Sequence, residues 1–210
     1  MKQTEFNQYV DQVATFRRAM GLPIAEPSTF KLEQHLGFIR EELDEYHKAT
    51  DEVGRLDALA DIAVFAIGAA LHCKKRLQID HFDKLSSGDY LAEIDAILNL
   101  DCEHFNLYAF YSLTAIPDEL RPGVMKAVFE ANMGKFCTSK QEALNRAASL
   151  KDECFVQKCG DYWTVRRLLD NKLMKPAGWI APEPRIKKLI EEVKAAKLQA
   201  AQIADDEQQD

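Results

Sequence analysis

The chain has 210 residues, 34 acidic against 27 basic side chains and a formal charge of −7 at pH 7, which argues against nonspecific binding to nucleic acid or to an anionic membrane. Hydrophobic residues make up 47% of it, enough to bury a full core, and the length favours one domain with an appendage. Met1 is not followed by a basic segment and an apolar stretch, and the longest apolar run is too short and too acidic to span a bilayer, so a cytoplasmic protein is expected.

Phe6, Val10, Val13 and Phe16 recur at helical spacing across residues 4–20. Gly21 and Pro23 end that helix. Pro27, Ser28 and Thr29 open a second helix, 29–50, with an apolar stripe of Leu32, Leu36, Ile39, Leu43 and Tyr46. A turn at 51–54 leads into a third helix over 56–74, and so short a loop makes the two antiparallel neighbours. Ser86-Ser87-Gly88-Asp89 breaks the chain before helical stretches at 89–100 and 103–115. Pro117 and Pro122-Gly123 punctuate the entry to a helix over 124–136. Residues 140–150 read as a short helix, and FVQKCGDYWTVRRL as a small β-hairpin near 155–170. Residues 175–182 form a loop, and 185–203 a basic, then Ala-rich, amphipathic helix before a disordered acidic end. The expected fold is all-α, a helical bundle with antiparallel core helices. Residues 1–185 would form the domain, and 186–210 a C-terminal helix and tail.

The third helix carries the most informative feature. LDALADIAVFAIGAAL, residues 56–71, has Asp57 and Asp61 as its only polar side chains, four apart and therefore on one face. Like charges at that spacing repel, and strongly so once partly buried, unless they share a proton, meet cations or hold a metal. Asp57 alone could cap the helix, but Asp61 lies past any cap position. On the second helix, Glu41, Glu42 and Glu45 stand three and four apart beside the apolar stripe. EELDE by itself is a common solvated face. Together, the two clusters facing each other across an apolar seam supply the hard oxygen shell that Mg²⁺ or Mn²⁺ takes. Because Mg²⁺ keeps several waters and leans on substrate phosphates, a phosphorylated ligand is expected.

Glu41-Glu42-Leu43-Asp44-Glu45, a short spacer and an acidic pair ending in Asp61 resemble the motif of the MazG-like all-α nucleoside triphosphate pyrophosphatases. That superfamily's usual second half is ExxD. Here Ala58 stands at the Glu position, and Asp57 lies one residue earlier. FNQYVDQVATFRRAMGLPI resembles the opening helix and G-x-P turn of phage-type members, ANMGKF their Asn-Met-x-Lys segment, and DNKLMKPAGWIAP their late D-G-K…K-P…P stretch. The resemblance covers most of 1–185, and is weakest over 82–115 and 138–165. It implies hydrolysis of a (d)NTP to the (d)NMP and pyrophosphate, with Mg²⁺, or Mn²⁺ in its place, as cofactor. On that scheme Glu42, Glu45 and Asp61 are assigned as metal ligands with Asp57 supporting, and Glu41 as orienting or deprotonating the attacking water, roles that could be exchanged among them without contradicting the sequence. Asn132 and Lys135 are implied as sugar or phosphate contacts, with Lys172 and Lys175 as a phosphate clamp, and a homodimer or homotetramer as the assembly.

Other chemistries fit less well. The strands and glutamate offsets of a Nudix hydrolase are missing, and Gly134-Lys135 is followed by Phe136 rather than the Ser or Thr of a phosphate-binding loop. Asp44-x-x-His47 and Asp101-x-x-His104 have the spacing of a carboxylate-bridged di-iron bundle, with Asp where those proteins use Glu. The five cysteines, Cys73, Cys102, Cys137, Cys154 and Cys159, form no zinc-site pattern and are expected to be free thiols. The alternative to an enzyme is a helical interaction protein that binds a partner through its amphipathic tail.

Overall fold

A computed structural model describes residues 1–75, 77, 79, 105–169, 171–176 and 178–207. The expected helix over 89–100 lies outside the described residues, as do Asp101, Cys102 and His104. Seven α-helices and one hairpin are described: α1 (Gln3–Ala19), α2 (Leu32–Lys48), α3 (Glu52–His72), α4 (Phe105–Ala115), α5 (Arg121–Met133), α6 (Lys140–Ser149), β1 (Cys154–Cys159), β2 (Tyr162–Arg167) and α7 (Glu183–Glu207). The chain is mostly helical with a small two-stranded antiparallel sheet. Among the described residues no helix is long and apolar enough to cross a membrane.

Helix α3 lies at the centre, touching α1, α2, α4, α5 and α7. Its composition explains the place. Ala58, Ala60, Ala63, Ala66, Ala69 and Ala70 are all buried, and small side chains let neighbouring helices approach closely. At Gly68 the approach is closest, because a Cβ there would lie 3.0 Å from Arg17 Nη1. Arg17 is itself buried, donates twice to the Pro23 carbonyl at 2.7 and 3.3 Å, and is held down to about 10 by that burial. Around α3 pack Phe6 of α1, Ile39 of α2, Tyr108 of α4 and Ile186 of α7, none of them measurably exposed.

Three pairs fix how α2 and α3 run. His35 hydrogen-bonds His72 at 3.0 Å, Phe38 stacks on Phe65 with ring centroids 5.1 Å apart, and Glu42 feels the charge of Asp61. As the numbers rise on α2 they fall on α3, so the helices are antiparallel, as the short connection requires.

Several boundaries differ from the sequence expectation. Helix α3 begins at Glu52, four residues early, because Asp51 caps it by accepting from the Gly54 N–H at 2.8 Å. Asp57 is therefore a second-turn residue and not a cap. Helix α5 starts at Arg121 and ends at Met133, earlier at both ends than expected. Pro122 sits in its first turn, where no N–H is needed. The buried Arg121 guanidinium there donates to the Leu113 and Ile116 carbonyls at the end of α4. Helix α7 runs from Glu183 to Glu207, so part of the acidic end expected to be disordered is helical, continuing a run of strong helix formers. Residues 208–210 lie outside the described residues.

The hairpin forms over Phe155–Arg166 pairing, with Gly160 at φ +57 in its two-residue loop. It leans on the end of α1, where Arg166 donates to the Met20 carbonyl at 2.9 Å. Gly21 has φ +65 there, and an added Cβ would lie 3.2 Å from Cys159 Sγ. Cys137, Cys154 and Cys159 are free thiols.

Candidate metal and phosphate site

The acidic residues come from the middle of the α2–α3 seam. Leu36, Ile39 and Leu43 bury one stripe of α2, and Glu42 lies beside that stripe, half-buried against α3. On α3, Asp57 and Asp61 are half-buried and surrounded by the buried Leu56, Ala58, Ala60 and Ile62. Glu41 and Glu45 are exposed at the edge of the cluster. Arg40 and His47, which flank the cluster on α2, are exposed. Asp44 and His47, the carboxylate–histidine pair considered for iron, are both exposed, and Asp44 pairs with Lys48 at 3.6 Å.

A shared electrostatic field ties these groups together. Burial, then the charges of Asp61, Glu45, Glu41 and Asp57, push the Glu42 carboxyl up to about 8. Burial, then Asp61, Glu183 and Glu45, raise Asp57 to about 7, with Lys135 pulling the other way. Asp61 rises less, to about 6: burial raises it, while the Lys135 ammonium and a hydrogen bond from Asn132 hold it down. Lys135 is lowered by burial and by its neighbour Lys175, and Asp61, Asp57 and Glu42 oppose that fall. Thus Glu42, Asp57, Asp61, Asn132 and Lys135, chosen from the sequence on three separate segments, meet at one place.

Asn132 links the two charges. Its Oδ1 accepts from Lys135 Nζ at 2.6 Å while its amide donates to Asp61. Lys135 lies just past the end of α5, and its position is fixed from outside. Arg146 of α6 donates to the Lys135 carbonyl at 2.8 Å, and Cys137 exchanges backbone hydrogen bonds with Trp163 of β2 at 2.8 and 2.9 Å. The α6–hairpin segment therefore buttresses the lysine that faces the carboxylates. Lys175 and Lys135 both approach the Trp179 ring, 4.0 and 5.7 Å from its centroid. Trp179 is anchored by its indole N–H, which donates to the Ala131 carbonyl at 2.6 Å. Lys172 is exposed, and its carbonyl accepts from the Arg167 N–H at 2.9 Å; Trp179 gathers Lys175, not Lys172, beside Lys135.

One member was missed in the sequence. Glu183, the first residue of α7, adds its charge to both Asp57 and Asp61. Lying between Pro182 and Pro184, it carries only a helix-start signal. Trp179, in the loop before α7, is the ring beside which the two lysines gather.

The donor set fits a hard divalent cation. Every candidate ligand is a carboxylate oxygen, burial and mutual repulsion raise three of the carboxyls above their ordinary values, and Asp57 Oδ1 is buried without a hydrogen-bond partner. Among the described residues no three His, Cys, Asp or Glu side chains already enclose a common point. Carboxylates with no cation between them repel. Comparison of the chain with family models, curated proteins and solved structures gave no match.

Proposed function

We propose that the protein is a Mg²⁺-dependent nucleoside triphosphate pyrophosphohydrolase that converts a (d)NTP and water to the (d)NMP and pyrophosphate. The observation that carries this is the convergence of Glu42, Asp57 and Asp61, short of positive charge, with Lys135 and its neighbour Lys175. Carboxylates alone would repel a triphosphate, and lysines alone would not need a buried acidic cluster. A metal-loaded polyphosphate satisfies both.

In this scheme Glu42, Glu45, Asp57 and Asp61 hold the cation, with Mn²⁺ as a substitute for Mg²⁺. When bound, the ion neutralises phosphate charge and lowers the pKa of a coordinated water. Lys135 and Lys175 bind phosphate oxygens, and Asn132 keeps Lys135 aimed at the seam. Glu41, at the exposed edge of the cluster, takes the proton as the water oxygen attacks the α-phosphorus. The Pα–O bond to the β-phosphate breaks, pyrophosphate leaves, and the proton passes to solvent. The helices pack as a bundle that works in the cytoplasm as a homodimer or homotetramer, and nucleotide is the partner.

Pyrophosphate release from a panel of NTPs and dNTPs, with and without Mg²⁺, tests the scheme. Glu42→Gln and Asp61→Asn should each lower kcat by at least about 100-fold, the upper scale seen for partners one shell further out. Release from none of the substrates would refute the activity, and activity surviving both substitutions would refute the site.

A further inference from the structure

Lys135 stands where no regular element holds it. Helix α5 ends at Met133 with Gly134 as its C-cap, and the chain then makes one further turn. In that turn the Lys135 N–H donates to the Asn132 carbonyl at 3.2 Å and the Phe136 N–H to the Met133 carbonyl at 3.1 Å. A chain leaving a helix loses the regular partners of its carbonyls. The Lys135 carbonyl finds one on another element: Arg146 Nη1, in the last turn of α6, donates to it at 2.8 Å. Such a charge-assisted bond is of the stronger kind.

Arg146 is itself held. Its side chain is only 9% exposed, and its Nη2 lies 3.4 Å from Oε1 of Glu142, one turn earlier. The other oxygen of Glu142 accepts from the Thr138 N–H at 2.8 Å and from the Thr138 hydroxyl at 3.1 Å. The Glu142 N–H donates in turn to Ser139 Oγ at 3.1 Å, which caps α6. Buried Ala143 packs with Cys137 and Val165, which seats α6 on the hairpin. One continuous set of bonds therefore runs from the start of α6 through Glu142 and Arg146 to the Lys135 backbone. A lysine is a point charge on a flexible stem, placed only when both ends are fixed. Asn132 Oδ1 fixes the ammonium end at 2.6 Å, and Arg146 fixes the backbone end.

We propose that Arg146 is a positioning residue: through the Lys135 carbonyl it keeps the Lys135 ammonium opposite the carboxylates of α2 and α3, and it does not itself touch phosphate. The assignment rests on the metal and polyphosphate site proposed above, and adds what holds the cation of that site in place. Without the guanidinium the Lys135–Phe136 peptide plane is free to turn. The ammonium then has to be ordered again each time a phosphate binds, which weakens binding. Small displacements of a positioning charge also slow the chemistry. Arg146 borders the cleft beside Trp179 as well, so direct contact with an anion is the competing role. The two roles differ in one respect: a positioning arginine matters only while Lys135 is present.

A double-mutant cycle on the full-length protein separates them, read by isothermal titration with inorganic pyrophosphate in buffer containing Mg²⁺. Arg146→Met, which keeps the apolar stem, should weaken binding about tenfold, the lower end of what partners one shell out from a site supply. Added to Lys135→Ala, the same substitution should change affinity by no more than about twofold. Glu142→Gln, which loosens Arg146 without removing it, should give a smaller loss that also vanishes with Lys135. The same cycle in kcat/KM repeats the test where binding is too weak to titrate. Wild-type affinity in Arg146→Met, an equal loss from either substitution with and without Lys135, or no pyrophosphate binding by the wild type would overturn the assignment. A loss that depends on Lys135, with no pyrophosphate release from any triphosphate, would overturn the hydrolase proposal and leave Arg146 its role. Hydrolysis whose kcat and KM are untouched by Arg146→Met would do the reverse.

Discussion

Replacing Asp61 by Asn should stabilise the metal-free protein while removing the activity proposed for it. Asp61 holds its proton to about 6 in the fold, against an ordinary value of 3.8. The folded state therefore binds that proton more tightly than the unfolded chain does. Its stability is complete below about 3.8, and is lost as pH rises through about 6. At about 1.4 kcal/mol per pH unit, the ionised carboxylate costs roughly 3 kcal/mol at pH 8. Asp61 is also the largest charge raising Glu42 and Asp57, so its removal relieves both. Against this, Lys135 loses its principal counter-charge, which leaves a net gain of roughly 2 kcal/mol. For a chain of this size that corresponds to a rise of about 4–8 °C in Tm. Urea unfolding in EDTA at pH 8 measures the gain directly. At pH 4 it should shrink to under about 1 kcal/mol, because both forms are then largely neutral. Adding Mg²⁺ should stabilise the wild type more than the variant. If Asp61→Asn unfolds more easily than wild type at pH 8 without metal, the buried-charge argument fails.

Two other parts of the molecule make separate predictions. Burial, then Arg17 and His72, hold His35 down to about 4, so the fold keeps it neutral. His72, lowered by burial and Arg17 and raised by Glu26, shares the same pocket. Stability is present above about 6.5 and lost as pH falls toward 4, by about 3 kcal/mol for His35. His35→Gln should flatten that part of a urea-unfolding pH profile, and an unchanged slope would show that other groups carry it. At Gly21, the positive φ and the close Cys159 sulfur should make Gly21→Ala cost about 1–2 kcal/mol. The same urea measurement checks it, and a neutral result would mean that the turn relaxes without strain.

The acidic seam was legible because its signal is local: carboxylates at a four-residue period inside an apolar helix demand a proton, a cation or a metal beside them. The hairpin was legible from a local signal too, since Gly160-Asp161 separates two runs rich in β-formers. Boundaries were harder where two start signals compete. Asp51 and Asp57 can both cap, and only the Asp51 bond to Gly54 decides between them. Glu183 was not legible, because it reaches Asp57 and Asp61 only through the packing of α7 on α3, more than 120 positions along the chain. No periodicity records such a distance.

The three residues between α2 and α3, Ala49, Thr50 and Asp51, also set the rotational phase of α3. Gly54 sits so close that an added Cβ would lie 3.2 Å from the Ala49 Cβ. One residue inserted into or deleted from the first turn of α3, past the Asp51 cap, would rotate Asp57 and Asp61 by about 100° about the helix and turn them away from Glu42. Surface connections usually absorb changes of length freely. This one is held from both sides, by the Asp51 cap on Gly54 and by the close approach of Gly54 to Ala49, so it should tolerate a change of length less well than an ordinary surface turn.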